Sequence, residues 1–113
     1  MTKLYHKDVK LPAGVNPVKS STLYLVPTRH AREQAELKGF QCPMAVHAGA
    51  QLIEVETDII NGKEVVTKAL YRERTNSFND VLMVVRGNRL ITCWLNDRRD
   101  THATLDKSKY SAA

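Results

Sequence analysis

Four histidines, His6, His30, His47 and His102, are the side chains of this 113-residue chain best suited to moving protons near neutral pH. His30 sits in Thr28-Arg29-His30-Ala31-Arg32-Glu33-Gln34-Ala35, where a helix would carry it over a sheet face. The alternative is a solvent-facing or merely packed helix residue. His102 lies in Asp100-Thr101-His102-Ala103-Thr104-Leu105-Asp106, between a carboxylate and small hydroxyls. Such neighbours fix an imidazole's tautomer and tune its pKa, as acid–base work requires. The same residues also make a capped polar turn. Metal-independent cleavage of RNA needs a base for the 2′-hydroxyl proton, an acid for the leaving 5′-oxygen and fixed cations for the phosphorane charge. His30 and His102 are the candidate acid and base, Arg72 the charge stabiliser and Thr104 the hydrogen-bonding support, provided helix and tail converge on one end of the sheet. Arg74, Arg98 and Arg99 are candidates for phosphate contacts, and Tyr110 for stacking on a base.

Other chemistries leave weaker traces. There is no phosphate-cradling glycine loop and no nucleophile elbow. His30, His47, His102 and Cys42 lack the spacing of metal ligands, so neither metal nor cofactor is expected. Cys42 and Cys93 read as two buried or half-buried free thiols.

The elements that must position these residues follow from local patterns. Residues 1–21 hold Pro12, Gly14, Asn16 and Pro17 and read as an irregular N-terminal arm, leaving 22–113 as a single domain. Thr22–Val26 is a short β-prone run stopped by Pro27. Thr28 caps a helix predicted to reach about Lys38, with Gly39 as its stop. Residues 40–50 are ambiguous, a short helical turn after Pro43 being one option. Gln51–Ile60 alternates, Ile53, Val55, Thr57 and Ile59 against Glu54, Glu56 and Asp58. Asn61-Gly62 is a type I′ hairpin signal. Its register predicts Ile60 facing Lys63, Thr57 facing Val66 and Ile53 facing Leu70, with Arg72 just past Leu70 at the sheet's edge. Val81–Val85 and Leu90–Leu95 are nearly continuous apolar runs, the pattern of strands covered on both faces. One face takes the helix. The other needs the arm, the C-terminal tail or a partner subunit. The expected fold is α+β, an N-terminal helix packed on a four-stranded antiparallel β-meander.

Composition sets the outer bounds. Hydrophobic residues at 42% and charged residues at 26% describe an ordinary folded chain. No apolar run approaches the roughly 20 residues of a membrane-spanning helix. The start lacks the apolar stretch of a signal peptide, so a cytoplasmic protein is expected. The net charge is +5, and it is uneven. Residues 1–60 hold seven Lys/Arg against six Asp/Glu, and residues 61–113 hold ten against six. A polyanion would be felt most by the second half.

The run Leu25–Glu33, then Tyr71-Arg72, then Leu90–Asn96, then Asp100–Tyr110 resembles a group of small bacteriophage proteins with a closing Asp-Thr-His-x-Thr-Leu-Asp motif. That group in turn is similar in element order to small ribonuclease toxins of the RelE, barnase and colicin type. The resemblance implies a phage accessory protein in the host cytoplasm that binds RNA, tRNA included, or cleaves it as a metal-independent endoribonuclease. Gln34 stands where relatives carry an arginine one helical turn after the histidine. That departure, with two apolar strands in need of a second cover, motivates the rival reading of a phage protein that binds and inhibits or redirects a host protein.

Overall fold

The computed structural model describes residues 3–7, 18–76 and 78–97. In chain order the elements are β1 (Lys3–Lys7), β2 (Leu23–Tyr24), β3 (Val26–Pro27), α1 (Arg29–Lys38), β4 (Ala45–Val46), β5 (Gln51–Ile60), β6 (Lys63–Arg74), β7 (Asn79–Arg86) and β8 (Arg89–Asp97). Strands β1-β5-β6-β7-β8-β3 form a six-stranded sheet, and β2 pairs with β4 in a small second sheet. This corrects the expected fold. The described residues are mostly β, 60% strand and 12% helix, and the helix lies mid-chain on a six-stranded mixed sheet, not at the N-terminus of a four-stranded meander.

Both added strands lie at edges, where local sequence signals are weakest. Residues 3–7, assigned by composition to an irregular arm, pair antiparallel with β5, Leu4 opposite Thr57 and His6 opposite Val55. Lys3-Leu4-Tyr5-His6-Lys7 carries no apolar–polar alternation to mark it as a strand. On the far edge β3 runs parallel to β8. The Val26 N–H donates to Asn88 O (2.8 Å) and the Thr28 N–H to Leu90 O (3.0 Å). Pro27, between them, falls where an N–H would point away from the sheet, the position an edge strand leaves open to proline.

The helix is short and leans on the sheet through two small residues, Ala31 and Ala35, both buried. Thr28 does two jobs. Its Oγ1 accepts the Ala31 N–H (3.2 Å), capping the helix, and donates to Ile91 O (3.0 Å), tying that cap to β8. Gly39, at φ 75°, ends the helix. The 40–50 stretch does not turn helically after Pro43. Ala45 and Val46 are buried and pair with Tyr24 and Leu23.

At the Asn61-Gly62 turn both residues have positive φ, 53° and 78°. Ile60 faces Lys63 and Thr57 faces Val66. Register shifts after Leu52 and after Glu56 then set Glu54, not Ile53, opposite Leu70. Residues paired across antiparallel strands share a face, so these bulges decide what each face carries. On the helix side, Val81, Met83, Val85, Leu90 and Cys93 pack with Ala31 and Ala35. On the reverse, Leu70, Leu82 and Val84 pack with Tyr5, Ile53, Ile91 and Trp94. Leu70, Leu82 and Leu90 are wholly buried, each worth about 1.5–3 kcal/mol relative to exposure. Glu54, Glu56 and Asp58 share the reverse face and are also buried. The Lys3 ammonium meets Glu56 Oε1 at 3.6 Å, and Thr67 Oγ1 donates to the same oxygen at 2.9 Å.

Candidate functional site

His30 and Arg72, two of the residues expected to act together, lie on opposite faces. His30 is exposed on α1, which covers the helix side of the sheet. Arg72 pairs opposite Leu82, so it belongs to the reverse face. The sheet stands between them. Nor is Arg72 at an edge. It lies on β6, with β5 and β7 on either side. Its Nε donates to Asp80 Oδ2 at 2.5 Å and its guanidinium also reaches Asp97 O at 3.0 Å. At 10% side-chain exposure this arginine ties β6, β7 and β8 together. His102, Thr104, Arg98, Arg99 and Tyr110 lie outside the described residues, as does the Asp100–Asp106 segment.

Arg74 is the expected contact residue that does reach a cavity. A space of about 360 Å³ opens where the end of β6 meets the chain between α1 and β4, lined in part by Phe40, Gln41, Met44, His47, Glu73 and Arg74. Its chemistry centres on Glu73 and His47. One carboxylate oxygen of Glu73 accepts the His47 backbone N–H (2.7 Å), and the other lies 2.8 Å from His47 Nδ1. A carboxylate only accepts, so Nδ1 carries the hydrogen, and whenever the ring is neutral its lone pair is on Nε2. The ring is 65% exposed while Glu73 is only 22% exposed, a fixed acceptor beneath an accessible base.

Local folding explains this placement. His47 directly follows β4, whose Val46 is wholly buried and whose pairing with β2 fixes the strand's end. Glu73 pairs opposite Val81 and so points to the helix side. Arg74 follows at the last position of β6, opposite Asp80 and so on the reverse face by alternation, and borders the cavity from the strand's end. The β6–β7 loop is held by Asn76, whose side-chain oxygen accepts the N–H groups of Phe78 (2.8 Å) and Asn79 (2.9 Å). Sequence reasoning considered His47 only as a metal ligand and passed over Glu73. The available signal was a carboxylate continuing the alternation Ala69, Tyr71, Glu73 on the inward side of β6.

Burial works against both thiols as nucleophiles. Burial raises Cys42, and burial foremost pushes Cys93 up to about 12, far from thiolate at neutral pH. Among the described residues no group of three or more His, Cys, Asp or Glu could hold a metal ion. Among them, too, no helix is long and apolar enough to cross a membrane. Exposed basic side chains outside the cavity include Arg32, Lys38, Arg86 and Arg89. No family model, no curated protein and no solved structure matches the chain.

Proposed function

We propose that this domain acts on RNA, holding a phosphodiester beside the cavity and cleaving it without a metal. The observation that carries the reading is the double grip of Glu73 on His47, with Arg74 bordering the same space. In this scheme His47 Nε2, not His30, takes the proton from the 2′-hydroxyl. The 2′-oxygen attacks phosphorus, the bond to the 5′-oxygen breaks, and a 2′,3′-cyclic phosphate remains. Arg74 replaces Arg72 as the cation facing the phosphorane, because Arg72 is spent on Asp80. His102, supported by Thr104, is then left with the acid's role, protonation of the departing 5′-oxygen. The resemblance to phage proteins supports RNA as the substrate and the host cytoplasm as the setting. Labelled single-stranded RNA incubated in chelator should yield cyclic-phosphate ends. His47→Ala should slow the reaction by about 10²–10⁴, the usual worth of a general base. RNA left both intact and unbound at low salt would sink the proposal.

One observation favours the rival. At the tip of the β5–β6 hairpin Ile59 and Val66, 38% and 45% exposed, share one face with Leu4 of β1 at 36%, while Ile60 and Val65 lie on the reverse. Apolar side chains grouped this way suit a protein partner. A stoichiometric host protein that survives nuclease treatment, and is lost in Val66→Asp, would favour that reading.

A further inference from the structure

We infer that the cavity beside His47 is a pocket for one unpaired nucleotide, its base against Met44 and Phe40 and its phosphate on Arg74. This rests on the RNA-acting reading and deepens it, because it names unpaired RNA as the substrate. The lining divides by chemistry. Phe40, Pro43, Met44 and Val81 offer apolar walls, while Gln41, Thr75, His47, Arg74 and Glu73, whose carboxylate is engaged by His47, offer polar groups on the same space. That mixture, at about 360 Å³, falls within the roughly 300–1,000 Å³ of small-molecule sites, apolar with a few placed polar groups. A base has an apolar face and a hydrogen-bonding edge, with an anion one ribose away, and so matches all three.

Met44, a large apolar side chain in the same lining as Arg74, is 59% exposed. A flexible thioether suits contact with an aromatic ring. Gln41 is exposed and carries both a donor and an acceptor, the pair a base edge requires. The wall is also held in place before any ligand arrives. The Phe40 N–H donates to Ala35 O (3.0 Å), the Leu25 N–H donates to Met44 O (2.9 Å), and Ala45 is buried. Little ordering is left for binding to accomplish. A base stacked and paired in a duplex cannot enter such a space without being flipped out, which disfavours paired RNA.

The test uses the full chain, titrated with nucleoside 5′-monophosphates, ribose 5-phosphate and inorganic phosphate, and followed by the Met44 methyl and His47 ring signals in NMR spectra. Mononucleotides should shift both signals and bind at least about tenfold tighter than ribose 5-phosphate, the worth of one stacked base. Arg74→Ala and Met44→Ser, both at exposed positions, should each weaken mononucleotide binding about tenfold or more without unfolding the chain. Ribose 5-phosphate binding as well as a mononucleotide would overturn the inference, as would nucleotide-induced shifts that spare Met44. The two readings fail separately. RNA cleaved equally whether single-stranded or fully paired, and indifferent to Met44→Ser, removes the pocket and leaves the cleavage proposal standing. Mononucleotides seated at Met44 with no RNA cleaved remove the cleavage proposal and leave the pocket.

Discussion

Burial acts on individual residues of this fold in opposite ways. Beneath α1 the Cys93 thiol is 2% exposed and its Sγ donates weakly to Ala31 O (3.7 Å). Desolvation penalises its thiolate and pushes the group from 9.0 up to about 12. The unfolded chain therefore loses this proton before the native one does. Stability from this source is complete below pH 9 and falls as pH rises towards 12. Tyr71, raised by burial from 10.0, adds to the same alkaline loss. Thermal melts should show a midpoint that drops between pH 9 and 11, with a shallower drop in Cys93→Ala. A Cys93→Ala slope matching the parent would show that the thiol contributes nothing. The chemistry of single residues was only partly open to sequence reasoning. Residue type marked the histidines and Arg74, but their partners were not adjacent in the chain. His47 and Glu73 are separated by 26 positions, and no local spacing announces that contact.

Among the elements, β1 shows how an edge strand is secured. His6 Nε2 lies 2.5 Å from Glu64 Oε2, and the buried Thr57 donates its hydroxyl to that same oxygen. Three strands are thereby joined across the end of the β5–β6 hairpin. The Thr57 hydroxyl first, then His6, hold the Glu64 carboxyl below its ordinary 4.5. A depressed carboxyl stabilises the fold above its unfolded pKa and loses that contribution as pH falls through the folded value. The β1 amides should therefore exchange faster with deuterium as pH drops below about 4.5, after correction for the intrinsic rate. The Val81–Val85 amides, between two neighbours, should stay protected. Equal loosening of both strands would argue against a local clasp. The cap at Thr28 and the turn at Asn61-Gly62 could be read from sequence because each needs only a few consecutive residues. Strand β1 could not, because its five residues carry no apolar–polar alternation and owe their extension to pairing with β5.

For the whole molecule, charge and face decide what reaches solvent. The net charge of +5 favours a polyanionic partner, but the cations are not equivalent. Arg74 is exposed at the cavity, whereas Arg72, two residues earlier, is 10% exposed and bound to Asp80. Arg74→Ala should reduce the slope of log affinity for single-stranded RNA against log salt by about 0.7, the share of one phosphate contact. Arg72→Ala should leave the slope unchanged and lower the unfolding free energy by about 3–5 kcal/mol, the usual result of stranding one partner of a buried pair. Reversed outcomes in salt titrations and urea melts would return Arg72 to the RNA contact and remove Arg74 from it.

Sequence by itself determined the strongly periodic pieces: the capped helix, the Asn61-Gly62 turn, and two strands apolar enough to be buried on both faces. Each follows from short-range sterics and from side-chain alternation within one segment. Tertiary structure alone decided the rest. Register shifts in β5 and β6 moved Glu54 opposite Leu70 and left the acids of β5 on the buried reverse face. The placement of α1 on the helix side separated His30 from Arg72. The pairing of β2 with β4 brought His47 to Glu73. Those outcomes depend on which segments meet across the sheet, a balance of packing and pairing between residues far apart in the chain. No local pattern encodes that balance.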